Sequence, residues 1–200
     1  MEVYKISESG YFPALVGLSL SFNIAINDKP LESYFASFTM EQYKEVAKKL
    51  ANKGFGHNKF LQMMTTHWAI RMPRFWWSQF DTYRHAIQGV DDSVSQSEST
   101  MHTLLKSELR ECDFENGIEK DYLTYLNNLL KEGNIEKAKE RLPENFLQTR
   151  VVMLNYEVLR NIIKQRKNHK LTTYWGYFIA VILKEVDLPE LLEDKNGTTR

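Results

Sequence analysis

Residues 65–83 read Thr-Thr-His-Trp-Ala-Ile-Arg-Met-Pro-Arg-Phe-Trp-Trp-Ser-Gln-Phe-Asp-Thr-Tyr, and their period changes midway. From Thr66 to Met72 the residues alternate, with Trp68, Ile70 and Met72 on one face and His67, Ala69 and Arg71 on the other. Successive side chains of an extended backbone point to opposite faces, so this is the pattern of a half-buried strand. Pro73 suits the first position of a helix, where its missing N–H has no partner to lose. Phe75, Trp76, Gln79, Phe80 and Tyr83 then follow helical spacing. A strand feeding an aromatic-rich helix fits an α+β chain, with Trp76 and Trp77 read as packing residues.

Upstream, residues 1–28 read as a short strand, a turn and a second short element. Thr39 can cap a helix, with Gln42 reaching back to it. Tyr43, Val46, Ala47, Leu50 and Ala51 then predict an amphipathic helix over 40–53, ended by Gly54 and Gly56. Downstream, the small polar residues 88–100 read as a long loop. Helices are expected over 119–132, 134–141, 147–167 and 172–186, with Pro143 opening the element after the second of them and 147–167 the longest. Residues 187–200 read as a loose tail. The sum is an α+β chain with a single domain over 1–186 and a tail over 187–200.

Composition narrows the function. The 200 residues are 42% apolar and 26% charged, in the range of globular chains. Lysine plus arginine equals aspartate plus glutamate, 26 against 26, which disfavours a protein that coats duplex DNA. One cysteine, Cys112, allows neither an internal disulfide nor a Cys-rich zinc site and suits a reducing compartment. The longest uncharged run, Tyr11 to Asn27, is too polar to span a bilayer, so the cytoplasm is the expected location.

The neutral total hides an uneven distribution. No acid occurs from Val46 to Phe80, which holds Lys48, Lys49, Lys53, Lys59, Arg71 and Arg74. None occurs from Val158 to Lys184, which holds Arg160, Lys164, Arg166, Lys167, Lys170 and Lys184. Such windows are either solvated faces answered by acids elsewhere or a site for an anion, where an arginine fork binds paired oxygens. On a helix over 147–167, Asn155 and Arg166 share an azimuth to within roughly 20° beside Leu159 and Ile162. Polar groups on an apolar stripe need protein or ligand partners.

These residues resemble the flavin-dependent thymidylate synthases, the ThyX type, over roughly residues 14–186. Leu142-Pro143, Asn155, Asn161 and Arg166 stand at that family's spacing of L-P, N, N and R. Gly56-His57 before a strand resembles its G-H element, Gln79 sits where its signature helix carries a Gln, and Ser21-Phe22 fits its early S-F pair. The signature R-H-R-x-x-S-x-N-E-x-S-x-R-Y is partial. Thr82-Tyr83-Arg84 occupies the R-H-R slot, or Arg84-His85 does in a shifted frame. In Gln96-Ser97-Glu98-Ser99-Thr100-Met101-His102, Ser99 matches the second Ser, Met101 replaces the Arg and His102 the Tyr.

The resemblance implies a small, mostly antiparallel sheet flanked by helices, with a helix-rich C-terminal half. It implies a homotetramer that binds FAD at subunit junctions, is reduced by NADPH, and transfers a one-carbon unit from methylenetetrahydrofolate to dUMP to give dTMP. No protein nucleophile is required, and Cys112 lies in an acidic, motif-free stretch that does not activate a thiol. The implied substrate contacts are Gln79, Ser99, Lys139 or Arg141, and Arg166, which also serves catalysis. The implied flavin contacts are His57, Arg84, His85, Glu98, Asn155 and Asn161. Three alternatives stay open: alkylation or hydroxymethylation of dUMP or dCMP in viral nucleotide modification, a catalytically inactive ligand-binding relative, and a single-stranded nucleic-acid binder that uses the basic windows and aromatics.

Overall fold

A computed structural model describes residues 1–21, 30–53, 56–85 and 93–193, without the side chains of Arg84, His85 and Ser93. Its centre is an antiparallel pair of nine-residue strands, β2 (Thr65–Pro73) and β4 (Leu147–Asn155), in register from Thr65↔Asn155 to Pro73↔Leu147. β1 (Glu2–Ser9) and β3 (Ser93–Ser97) add antiparallel edges, giving the order β1-β2-β4-β3. The expected α+β class with a small antiparallel sheet is what the chain adopts.

The alternation in β2 is real: Thr66, Trp68, Ile70 and Met72 are buried while His67, Ala69 and Arg71 are half-buried. Trp68 donates its indole N–H to Thr66 Oγ1 at 2.7 Å, and that hydroxyl donates to the Leu154 carbonyl at 2.8 Å. One tryptophan is thereby buried with no lost hydrogen bond.

Ten helices pack around the sheet among the described residues: α1 (Tyr11–Leu20), α2 (Leu31–Ser37), α3 (Glu41–Ala51), α4 (Phe60–Met63), α5 (Arg74–Phe80), α6 (Thr100–Lys106), α7 (Lys120–Lys131), α8 (Ile135–Glu140), α9 (Tyr156–Arg166) and α10 (Thr172–Glu185). A 3-10 turn, Asp81–His85, extends α5. The main core joins the inner face of the sheet to α1, α5, α9 and α10, and its centre is aromatic: Trp76 packs on Trp77, Phe80, Trp175 and Phe178. Removing a ring of this size costs about 3–5 kcal/mol. A second core of Leu104, Leu109, Phe114, Leu126, Leu142 and Phe146 joins α6 and α7 to the segments around Phe114 and over residues 142–146.

Several sequence expectations change. The helical pattern over 147–167 is two elements, because residues 147–155 form a central strand with hydrogen-bonding neighbours on both sides. Val152 and Leu154 point inward while Val151 is exposed, a period of two masked by the helical period that starts at Tyr156. The polar loop over 88–100 contains β3, an edge strand whose polar residues suit an exposed sheet margin; residues 88–92 lie outside the described residues. α3 begins after Met40 without a side-chain cap, so Thr39 does not cap it. Pro73 ends β2 and precedes α5 rather than starting it. The tail is packed as far as Leu192: Leu191 and Leu192 are buried in the main core.

A buried polar knot ties β1 to α9 and to the segment after α10. The Tyr156 hydroxyl donates to Glu8 Oε1, lies 3.1 Å from the Tyr11 hydroxyl and accepts from the Leu188 amide at 3.2 Å. Glu8 also binds Lys5 Nζ at 2.8 Å and the Asp187 amide. Burial, reinforced by Glu8, pushes the Tyr156 phenol far above its ordinary value, so it remains a donor. Tyr156→Phe should destabilise the protein by about 1–3 kcal/mol in urea unfolding. An unshifted midpoint would show that the knot carries no net stability.

Candidate functional site

Both ends of α9 carry residues marked by the sequence. At its N-terminus Asn155 is 4% exposed and caps the helix, its Oδ1 accepting from the Val158 amide at 2.9 Å. Asn155 therefore belongs to the end of β4 and shares no helical stripe with Arg166, as a helix over 147–167 would require. Beside it Glu157 accepts from Asn58 at 2.8 Å and from Gln62 at 2.6 Å, which brings the turn carrying the exposed His57 to this end.

Arg166 closes the other end, roughly 15 Å away along the eleven residues of α9. Its Nε donates to the Tyr83 hydroxyl at 2.7 Å, and its guanidinium lies 4.8 Å from a Trp175 ring centroid and 5.4 Å from that of Tyr83. Cation–π contacts of this kind add to the hold of the hydrogen bond. Trp175 is fully buried and donates its indole N–H to Gln79 Oε1 at 3.0 Å. One indole thus joins Gln79 of α5 and Arg166 of α9, two residues read from the sequence as parts of one site. Tyr83 donates onward to Gln165 Oε1 at 3.1 Å, and Gln165 donates to Asn161 Oδ1 at 2.8 Å.

Burial raises the Tyr83 pKa above its ordinary value, although Arg166 pulls it down. His169 packs edge-on to Trp175 and is held below its ordinary value by desolvation, then by Arg166 and Lys170. Charge here is therefore carried by Arg166 together with the exposed Lys164, Lys167 and Lys170, none of which is in an ion pair among the described residues. In the first window Lys48 is answered by Glu45 and Glu190, Arg71 by Asp113, and Arg74 by Glu144.

The other implied contacts form a second group. Ser99 stands at the start of α6 without a side-chain cap bond, and the Glu98 amide donates to the Thr149 carbonyl at 3.1 Å. Arg141 ends α8 and, with Met101, Glu136 and Glu140, lines an open cleft of about 610 Å³. Lys139 is exposed on α8. Among the described residues no hydrogen bond or ion pair joins this group to Arg166, Gln79 or Tyr83. The side chains of Arg84 and His85 lie outside the described residues. Sequence reasoning missed Tyr83 and Trp175 as parts of the site. Trp175 was legible only as part of the helix expected over 172–186, and Tyr83 stood in the R-H-R slot as a departure from the motif.

No protein-family model matches the chain, and no curated protein matches it. Solved structures do. A crystal structure of the flavin-dependent thymidylate synthase ThyX from Helicobacter pylori, complexed with FAD and dUMP, superposes with a TM-score of 0.73 at 18% identity, covering 97% of this chain and 99% of that one. A second structure of ThyX from Helicobacter pylori, also with FAD and dUMP, gives 0.72 at 18%, covering 97% and 98%. The fold is the ThyX fold. Within it Arg166 and Gln79 both rest on Trp175 of the same chain.

Asn155→Ala should cost about 1 kcal/mol of stability through the lost cap. Urea unfolding monitored by circular dichroism checks this, and no loss would mean that the cap bond is idle.

Proposed function

We propose that this protein is a flavin-dependent enzyme of the thymidylate synthase type, which transfers a one-carbon unit from methylenetetrahydrofolate to C5 of dUMP to give dTMP. The observation that carries this is that Arg166 and Gln79 both rest on Trp175, with Asn161 linked to Arg166 through Gln165 and Tyr83, in a fold whose solved neighbours hold FAD and dUMP. Reduced FAD, regenerated by NADPH, would supply the hydride that completes the transferred methyl group.

The residues present fit such ligands. Arg166 offers both terminal nitrogens, and Gln79 and Asn161 each offer an amide NH2, so phosphate or carbonyl oxygens find donors. Asn155 keeps its NH2 beside its capped oxygen, and His57 stands at the same end of α9, so the two ends of the helix suit the two ends of a dinucleotide. Arg166 orients the nucleotide and stabilises charge on it. Ser99, Glu98, Lys139 and Arg141 would act on the substrate or flavin from a neighbouring subunit. Cys112, the sole cysteine, is exposed in the turn Glu111–Asp113, outside this site, in keeping with chemistry that uses no protein thiolate.

Assembly as a homotetramer draws support from the outer face of the sheet, where Tyr4, Ile6, Val94 and Val151 are exposed large apolar residues. One observation favours a second outcome. Met101 lines the Arg141 cleft where the ThyX signature has an Arg, so the product could be an alkylated or hydroxymethylated pyrimidine deoxynucleotide, with dUMP or dCMP as substrate.

The purified protein should bind FAD and turn yellow. With NADPH, dUMP and labelled methylenetetrahydrofolate it should form dTMP, identified by mass. A mass corresponding to hydroxymethyl-dUMP or a modified dCMP selects the second outcome, and failure to bind FAD removes both. Arg166→Ala should weaken dUMP binding about 10-fold or more in calorimetry of the FAD-loaded protein. Undiminished affinity would take Arg166 out of the site. Light scattering checks the tetramer.

A further inference from the structure

Hydrogen-bond direction, followed from Arg166, decides what the surface of this site offers. A guanidinium can only donate. The Tyr83 hydroxyl accepts from Arg166 Nε at 2.7 Å and so turns its own proton to Gln165 Oε1 at 3.1 Å. Gln165 is left with its NH2, which donates to Asn161 Oδ1 at 2.8 Å. Asn161 is left with its NH2. On the other side of Arg166 the Trp175 indole, also a donor only, obliges Gln79 to present Oε1 and leaves that amide's NH2 outward. The amide orientations follow from two groups that cannot accept, which settles a choice that side-chain shape alone leaves open. The side-chain oxygens of Asn161, Gln165 and Gln79 are all engaged internally. Arg166 Nη1 and Nη2, Asn161 Nδ2 and Gln79 Nε2 have no hydrogen-bond partner among the described residues.

We propose that this one-way chain, with Tyr83 as its positioning residue, leaves the side chains of Arg166, Asn161 and Gln79 presenting free N–H donors that take a ligand edge built of acceptors. It deepens, and rests on, the nucleotide site described above. The phosphate oxygens of a pyrimidine deoxynucleotide and the 4-oxo edge of uracil have this chemistry. The 4-amino edge of cytosine does not. Tyr83 does not touch the ligand. Its ring and hydroxyl hold the guanidinium against Trp175, and because burial keeps the phenol protonated, the chain runs in one direction only. A histidine at this place in the chain would have a titratable ring instead, so the tyrosine makes the polarity insensitive to pH near neutrality.

The test is calorimetry of the full chain loaded with FAD, titrated with dUMP, dCMP and deoxyuridine. Tyr83→Phe keeps the buried ring and removes the hydroxyl. It should raise the dUMP dissociation constant about 10-fold, and by less than about 2-fold in an Arg166→Ala background, because its effect passes through Arg166. A merely structural role would cost the same in both backgrounds, and that outcome overturns the proposal, as does unchanged affinity for every ligand. A Tyr83→Phe effect seen with dUMP and dCMP but not deoxyuridine assigns the donors to phosphate. One seen with dUMP and deoxyuridine but not dCMP assigns them to the 4-oxo edge. Either upholds the proposal. If Tyr83→Phe fails to fold, Gln165→Leu at an exposed position breaks the next link and should weaken dUMP about 3-fold; no effect overturns the proposal. If the wild type binds none of the three, the nucleotide reading fails separately. Orthophosphate titrated against the Arg166 Nε–Hε NMR signal then decides: a shift seen in the wild type and lost in Tyr83→Phe supports the proposal, and no shift in the wild type overturns it.

Discussion

The antiparallel ladder between β2 and β4 governs where everything else can go. Each strand runs directly into a helix, β2 into α5 and β4 into α9. Because the strands are antiparallel and in register from Thr65↔Asn155 to Pro73↔Leu147, these helices start at opposite ends of the pair. Both bury aromatic or aliphatic residues in the same core, so both turn back over the same face of the sheet. Their C-terminal ends then meet above its middle, which is where Tyr83 and Arg166 bond. The junction is tight: the Tyr156 amide donates to the Met64 carbonyl at 2.9 Å, so the start of α9 is held by the residue that precedes β2.

Trp175 turns that meeting into a site. A buried indole needs its N–H satisfied, and Gln79 does so. The ring face favours a cation, and Arg166 supplies it. Two polar residues are thus held at the edge of an apolar core by one side chain that fills the core. The 3-10 turn carrying Tyr83 is anchored as well, since Asp81 binds Arg150 Nη1 at 2.8 and 3.1 Å while the Arg150 guanidinium stacks on Trp77. The same aromatics fill the core and hold these polar groups at its edge.

Legibility in the sequence followed the strength of local periodicity. β2, α3, α7 and α10 each carry a clean pattern and were readable to within a residue or two. β4 was not: Val151 and Val152 lie side by side, and Leu154 and Leu159 extend the helical spacing backwards across Asn155. β3 was not readable because its Ser-Val-Ser-Gln-Ser residues hold a single apolar side chain, too few for an alternation. At the site, Gln79 and Arg166 were legible through motif spacing. Tyr83 and Trp175 were not, since nothing local distinguishes a tyrosine that binds an arginine from one that fills a cavity.

The amino-acid order alone determined the α+β class, the strand-to-helix switch at Pro73, the aromatic core and the basic, acid-free stretch that ends α9. These depend on interactions within a few residues of one another or on composition, and such interactions are written directly in the chain. Only the tertiary structure decided that residues 147–155 are a strand and Asn155 a cap, because a central strand is stabilised by neighbours far away in sequence. Only it decided that the hydrogen-bonded pairs Gln79–Trp175 and Tyr83–Arg166 are joined through the contact of Arg166 with the Trp175 ring, because the direction of each bond depends on which partner, a donor or an acceptor, folding brings alongside.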